Sequence, residues 1–390
     1  MALGTARAAP SAQLVEIGQD RVRHLRDGDE CYPAMLAAIQ AARREIVAEF
    51  YWFASDTVGR LFVDALRARA TAGCTVRVVY DAIGSRPIDD EMFDDLRAAG
   101  ADVREFHPLR GALHKRVGGR WFVRDHRKLL VCDGEVGFTG GLNIGRPWAS
   151  RDQGGDGFRD DMVEVQGPAA RELRAAFYQT WARVLRWRER KDPSKLPPEA
   201  TLELKRAPER DVWVIANRRR PRGRAIRATY LRWIHGAERT IDLVHAYFVP
   251  DAVIRRALVE AARRGVRVRV LVPEVSDLPF VQWACEATIA RLLPHGVEAY
   301  AYRGAVLHSK LAVVDDELVT IGSYNLDRRS SRANLEVNVA ARSAELARVV
   351  RRSIEQDLAH SVRWTDAELR ARGLFWRLVR AFALLFARWL

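Results

Sequence analysis

The feature that most restricts the fold of this chain is that it reads twice. In the first half an apolar, β-branched and aromatic run from Arg44 to Phe53 is followed by a helical stretch around Leu61 to Ala70, and then by Thr75 to Tyr80, which has the composition of a strand. The second half repeats the order. The run Arg239 to Phe248 precedes a helix around Ile254 to Arg264 and a strand from Val266 to Val272, with Gly73 and Gly265 at matching helix-to-strand turns. Each half then offers a second helix, an extended segment (Asp102 to Phe106; Val297 to Tyr302) and a last, distinctive strand. Strands alternating with helices in two copies imply an α/β sandwich in each half, and 390 residues are enough for two such domains.

The last strand carries the chemistry. His126, Lys128 and Asp133 recur as His308, Lys310 and Asp315, in the pattern His-x-Lys, four residues, Asp. Seven residues after each Asp stands a glycine-led turn with Asn in its fourth place, Gly140 to Asn143 and Gly322 to Asn325. Residues two apart on a strand share a face, so each imidazole projects with its ammonium. The tight turn brings the Asn143 and Asn325 amides, and in the second copy the Ser323 hydroxyl, toward the same place as donors suited to phosphate oxygens. A single His-x-Lys would carry little weight; two at identical spacing carry much more. Lysine scarcity sharpens the point. The chain has only six lysines among its 64 basic residues, and two of them stand in the motifs, where a compact ammonium differs from a guanidinium.

With Gly28 to Ala34, Phe158 to Asp160 ahead of Gly167 and Pro168, Ser276 to Trp283, and Asn334 to Glu336, these motifs resemble those of the phospholipase D superfamily, and within it the bacterial cardiolipin synthases, type B in particular. The resemblance implies two similar phospholipase D-like α-β-α sandwich domains related by a pseudo-two-fold axis, sharing one active site and followed by a C-terminal amphipathic helix. It implies a displacement at phosphorus in two steps, with His126 as nucleophile and His308 as general acid. Lys128, Lys310, Asn143, Asn325 and Ser323 would stabilise the phosphoryl oxygens, with no metal or other cofactor. It also supplies a carboxylate partner for each histidine, Glu336 in the second half and Asp160 in the first, with Asp161 as a rival. Asp133 and Asp315 belong to the motif, but their place directly after a strand suits an Asx-type turn, so they are expected to support rather than react. The first copy has Gly141 where the second has Ser323. Either the halves divide labour, or the glycine relieves crowding.

The expected domains are residues 1–190 and 212–360, joined by a charged, proline-containing linker at 191–211 and followed by a membrane-associating tail at 361–390. From Arg370 to Leu390, arginines at 370, 377, 380 and 388 form one helical stripe, and Phe375, Trp376, Phe382, Leu385, Phe386 and Trp389 cover much of the remainder. Central arginines cost roughly 2.5–3.5 kcal/mol each inside a bilayer, so such a helix suits the headgroup plane rather than a span. The alternative is packing on the body or on a second copy. Leu278 to Trp283 reads equally as a second apolar contact or as a helix start packed on the core. The formal charge of +14 favours polyanions, either anionic lipid or nucleic acid. Together with the aromatic tail it points to an anionic phospholipid surface and a phosphatidylglycerol substrate, with no nucleic acid expected. The alternatives kept open are a phospholipase D-type hydrolase and a nuclease of the same superfamily. Residues 1 to 20 lack the apolar core of a signal peptide, so the expected location is peripheral, on the cytoplasmic face of the cell membrane. The scattered cysteines 31, 74, 132 and 285 read as reduced core residues.

Overall fold

A computed structural model of the protein describes residues 13–86, 89–108, 123–185, 210–217 and 224–371, with the isolated positions 189, 192, 194–196, 379, 382 and 383. The linker expected at 191–211 and the helix expected beyond 371 fall largely outside the described residues.

The first half contributes β1 (Val15–Ile17), β2 (Asp20–Arg26), β3 (Glu45–Phe50), β4 (Thr75–Asp81), β5 (Asp102–Phe106), β6 (Lys128–Cys132), β7 (Val136–Gly140) and β8 (Asp161–Gln166), in the sheet order β1-β2-β8-β7-β6-β3-β4-β5. The second contributes β9 (Val212–Ala216), β10 (Thr240–His245), β11 (Arg267–Pro273), β12 (Glu298–Tyr302), β13 (Lys310–Val314), β14 (Leu318–Gly322), β15 (Val337–Arg342) and β16 (Ser361–Trp364), in the order β16-β12-β11-β10-β13-β14-β15-β9. Seven strands correspond one to one: β2-β8-β7-β6-β3-β4-β5 matches β9-β15-β14-β13-β10-β11-β12. In both sheets the first repeat strand pairs in parallel with the next and antiparallel with the motif strand. The repeat read from the sequence is thus a repeat of mixed eight-stranded sheets. The edge strands β1 and β16 lie outside it.

Helices cover both faces. The described helices of the first half are α1 (Asp27–Ala41), α2 (Thr57–Thr71), α3 (Asp90–Ala98) and α4 (Pro168–Val184). Those of the second are α5 (Ala225–Gly236), α6 (Ala252–Arg263), α7 (Pro279–Leu292), the short α8 (Arg328–Arg332), α9 (Ala344–Ala359) and the short α10 (Asp366–Ala371). Helices α2 and α6 start at equivalent aspartates. Asp56 accepts from the backbone N–H groups of Val58 and Gly59, and Asp251 from those of Val253 and Ile254, satisfying donors that the first helical turn leaves open. Both helices end before a left-handed glycine, Gly73 at φ 92° and Gly265 at φ 91°.

Strand alternation divides the interior into three cores. Val47, Leu129, Val131, Val163 and Val165 point to one side of the first sheet, and Ile46, Ala48, Leu130, Cys132 and Met162 to the other. The first set joins residues of α4 and α9 with Leu311, Val313, Val319 and Ile321 in one core shared by both halves. The outer faces make separate cores under α1, α2 and α3, and under α5, α6 and α7. Because both faces of each motif strand are buried, these strands read as continuous apolar runs rather than alternating ones. All four cysteines are buried and unpaired by disulfide. No helix among the described residues is long and apolar enough to cross a membrane.

Buried ion pairs tie the halves together across the shared core. Arg159 donates to Asp357 of α9 at 2.9 and 3.1 Å and to Ser353 at 3.0 Å, and Arg26 donates to Asp357 at 2.6 Å. Arg159 is fully buried with several carboxylates around it, the condition under which a guanidinium is satisfied rather than stranded.

Candidate active site

The motif strands begin at their lysines, so His126 and His308 lie two residues ahead of β6 and β13, in extended segments that leave their own sheet. Each segment is held by the opposite half. Asp125 bridges in parallel to Leu335, with the His126 N–H donating to the Leu335 carbonyl at 3.0 Å and the Leu335 N–H to the Arg124 carbonyl at 2.9 Å. Leu307 bridges to Arg159 in the same way, with the His308 N–H on the Arg159 carbonyl at 2.7 Å and the Arg159 N–H on that of Val306 at 3.0 Å.

These bridges dictate a crossed pairing. One residue beyond each bridge stand a histidine from one half and a carboxylate from the other. His126 Nδ1 lies 3.1 Å from both carboxylate oxygens of Glu336, and His308 Nδ1 lies 2.7 Å from Asp160 Oδ2. Each half therefore supplies the histidine of one pair and the carboxylate of the other, so neither half alone holds a complete pair. The two carboxylates were expected; that they cross between halves was not. Asp161, the rival to Asp160, is engaged elsewhere, with His24 Nε2 at 2.6 Å, Arg159 at 3.0 Å and the Ser309 hydroxyl.

The predicted site residues fall into three layers. His126, His308, Asn143 and Asn325 line one cleft of about 370 Å³ between the halves, together with Tyr51, Trp148 and Tyr247. Asn143 Oδ1 accepts from the Trp52 N–H at 3.0 Å, so its open hydrogen-bonding group is the amide NH2; Asn325 Oδ1 is buried with no partner among the described residues. Lys128, Lys310, Asp160, Glu336 and Ser323 form a second layer, all essentially inaccessible. Lys128 Nζ donates to the His126 carbonyl at 2.8 Å and sits 5.1 Å from the centre of the Tyr51 ring. Lys310 Nζ donates to the His308 carbonyl and lies 2.9 Å from His308 Nδ1. Asp133 and Asp315 are at the far ends of the motif strands. Each accepts three backbone N–H groups, Asp133 those of Arg43, Arg44 and Glu45 and Asp315 those of Glu238, Arg239 and Thr240, at 2.7–2.9 Å. Both are left-handed, at φ 55° and 54°, so they close turns and do not reach the cleft.

Ser323 was expected to donate toward a phosphate. Instead its hydroxyl donates to Glu336 Oε2 at 2.5 Å and accepts from the Val337 N–H at 3.1 Å, because it points along its own turn toward β15. The equivalent Gly141 faces Asp160. A Cβ there would come within 2.0 Å of Asp160 Oδ1. The glycine thus relieves crowding, but against the supporting carboxylate rather than against a ligand. Asp160 fills that space and collects His308, the Trp148 indole N–H at 2.9 Å and the Asp161 N–H at 2.8 Å.

Burial and like charge set the protonation of the site. Burial, with Lys128, Lys310 and His308 adding to it, holds His126 well below the usual imidazole range. Burial and Lys310 lower His308 as well, but Asp160 opposes them by charge and by hydrogen bond. Burial brings Lys128 down to about 7 and Lys310 to about 8, and pushes Glu336 up to about 7 against the pull of Lys128. Both imidazoles are thus biased toward the neutral form, His308 against the pull of Asp160.

Two sandwiches presenting paired His-x-Lys motifs to one cleft, with each histidine backed by a carboxylate, define a phosphodiester-handling site of the phospholipase D type. The profile of the family described as "Cardiolipin synthase, PLD-like domain" matches residues 35–181 and 230–358. The chain is 32% identical over 375 residues to a probable cardiolipin synthase, YwiE, of Bacillus subtilis, covering 95% of this chain and 72% of that one. It is 30% identical over 355 residues to cardiolipin synthase 1 of Staphylococcus aureus, covering 91% and 71%. Among solved structures, the phosphatidylserine synthase of Haemophilus influenzae superposes with a TM-score of 0.74 at 14% identity, over 96% of this chain and 94% of that one, a likeness of fold. This chain belongs to the cardiolipin synthase family of phospholipase D-like enzymes.

Proposed function

We propose that the chain transfers a phosphatidyl group from one phosphatidylglycerol to another through a phosphohistidine, releasing glycerol. The observation that carries this reading is the crossed pair of histidine–carboxylate couples on one cleft in a chain of this family. Because Glu336 accepts a hydrogen bond from His126 Nδ1–H, the proton is kept on Nδ1 and the lone pair is on Nε2, free to attack. In the first step His126 Nε2 bonds to phosphorus, the bond from phosphorus to the glycerol oxygen breaks, and His308 gives that oxygen its Nε2 proton. In the second, a hydroxyl of the acceptor's glycerol attacks phosphorus, His308 takes its proton, and the phosphorus–nitrogen bond breaks. Asp160 stabilises the imidazolium form of His308. Amide donors of Asn143 and Asn325 meet the phosphoryl oxygens at the cleft surface, and Lys128 and Lys310 supply positive potential from behind.

The same reading keeps the division into domains at 1–190 and 212–360 with a connector at 191–211, and puts the protein on an anionic membrane surface through its +14 charge and the part of the 361–390 tail that follows strand β16 of the second sheet. Purified protein with phosphatidylglycerol in mixed micelles is expected to form cardiolipin and glycerol, and His126→Ala or His308→Ala to abolish both. Phosphatidic acid as the sole lipid product would make it a hydrolase. Salt-sensitive DNA cleavage without lipid turnover would make it a nuclease.

A further inference from the structure

Among the described residues, four of the five buried arginines make three or more side-chain hydrogen bonds each, and one does not. Arg77 donates to Glu45, Tyr178 and the Ser194 carbonyl. Arg127 donates to the carbonyls of Ala176 and Asn217 and to the Thr180 hydroxyl. Arg269 is shared between Asp242 and Glu355, and Arg159 carries the clamp described above. Arg124 is only 2% exposed, yet among the described residues its side chain makes one hydrogen bond, a long one of 3.4 Å to Asp81 Oδ1, and its Nε has no partner. Asp81 does not depend on that contact. It accepts the backbone N–H groups of Ile83, Gly84 and Asp125 at 2.9–3.2 Å. A guanidinium has five donors, and leaving most of them unmade under burial is costly unless something else receives them.

Arg124 stands on the wall of the cleft, two residues before His126 and so on the same side of an extended segment. Arg329 of α8 lines the same cleft, exposed, and has no side-chain hydrogen-bond partner among the described residues. Both arginines act on the hydroxyl of Tyr51, whose ring packs edge-on to His126 at 4.9 Å between centres. The second half lacks this corner. Val306 takes the place of Arg124 two residues before His308, and Ala246 takes the place of Tyr51, each following the residue paired with its motif lysine.

We propose that Arg124 and Arg329 form a second oxyanion site, which holds the phosphodiester of the acceptor lipid while the reacting phosphate sits between His126 and His308. The proposal rests on the transfer reading above and adds to it what selects the acceptor. The two histidines hold one phosphorus. A transfer whose acceptor is itself a phosphodiester brings a second phosphate into the same cleft, whereas water and simple alcohols bring none. Arginine suits the task because its planar fork meets two phosphate oxygens at once. Occupancy of this site favours resolution of the phosphohistidine by a phosphate-bearing alcohol over resolution by water.

The test uses the full chain with phosphatidylglycerol as donor and two soluble acceptors in competition. Glycerophosphoglycerol carries the second phosphate and ethanol does not; the two products are counted by mass spectrometry. The wild type is expected to prefer glycerophosphoglycerol per mole of acceptor. Arg124→Gln and Arg329→Gln are each expected to lower that preference at least about tenfold, the usual consequence of losing a charge-assisted hydrogen bond, and Arg124→Lys to restore part of it. A preference within about twofold of wild type in both glutamine variants, or a wild type with no preference, overturns the proposal while leaving transfer intact. A general loss of folding or catalysis lowers both products together and leaves the ratio in place, so the ratio separates a recognition role from a structural one. If Arg124→Gln does not fold, Arg329→Gln, at an exposed position, decides the same ratio. A wild type that transfers to no alcohol at all overturns the transfer reading, and this proposal with it.

Discussion

Replacing Asp160 by Asn removes one negative charge from the second layer while keeping its shape, and the consequences are specific to the crossed arrangement. Asp160 Oδ2 receives His308 Nδ1 at 2.7 Å and the Trp148 indole at 2.9 Å, with no water in reach of a carboxylate that is 0% exposed. Losing a buried charge-assisted hydrogen bond costs about 1.5–3 kcal/mol, which corresponds to about 10–150-fold in rate if the bond is fully expressed in the transition state. The direction on His308 follows from its surroundings. Burial and Lys310 already lower its pKa, and Asp160, ahead of Asp277, raises it, so Asp160→Asn lowers it further. Nuclear magnetic resonance of the histidine rings reads this directly: the His308 titration moves down while that of His126 stays in place. The kinetic counterpart is a leaving-group test. A general acid matters for an alkoxide but hardly for p-nitrophenolate, so the loss in Asp160→Asn is expected to be large for phosphatidylglycerol and small for a p-nitrophenyl phosphodiester. Glu336→Gln, acting on His126 as nucleophile, is expected to slow both substrates. A shift of His126 rather than His308 in Asp160→Asn would refute the pairing across halves, and equal losses on both substrates would refute the role given to His308.

Gly141→Ala places a Cβ 2.0 Å from Asp160 Oδ1, and that carboxylate is held by three donors, so the expected strain is about 1–3 kcal/mol and appears as at least a tenfold drop in turnover with the fold retained by circular dichroism. Asp133→Ala and Asp315→Ala each strip acceptors from three backbone N–H groups far from the cleft, so a loss of about 1–3 kcal/mol in denaturant unfolding is expected, with turnover per folded molecule nearly unchanged. Burial lowers Lys128 to about 7 and Lys310 to about 8, so these ammonium groups lose their protons as pH rises through 7 to 8 rather than near 10, and kcat/KM is expected to fall across that window. On the acid side Glu336, raised to about 7 by burial, is protonated as pH falls and ceases to accept from His126, so the profile is bell-shaped with its top near pH 7; a flat profile to pH 9.5 contradicts this account.

The strands of the repeat and the equivalence of the halves were legible because each depends on local pattern: β-branched runs, helical stretches between them, and glycines at the helix-to-strand turns. The two-residue spacing of His126 and Lys128 placed both on one side of an extended segment, and the position of Asp133 directly after a strand identified a turn. What the sequence did not show is anything that one half does for the other. The crossing of Glu336 to His126 and of Asp160 to His308 follows from the bridges Asp125–Leu335 and Arg159–Leu307, which join segments about 150 to 210 residues apart. Ser323 was misdirected for a related reason: its target Glu336 is adjacent only through the pairing of β14 with β15. Strand β2 escaped notice because its seven residues, Asp20 to Arg26, include four that are charged, and the sequence does not show that Asp20 and His24 are buried with partners. Arg124 could have been found. The same two-residue rule that links His126 to Lys128 also links it to Arg124 on its other side.

The central claim, that the halves act together through a covalent intermediate on one histidine, is tested most directly by trapping that intermediate. A p-nitrophenyl phosphatidyl diester needs no general acid to form the adduct, so His308→Ala mixed with it, quenched and digested, is expected to yield the peptide containing His126 with the mass of a phosphatidyl group added, visible by mass spectrometry. No adduct on either histidine, or an adduct found on His308 in wild type and in His126→Ala, would contradict the account.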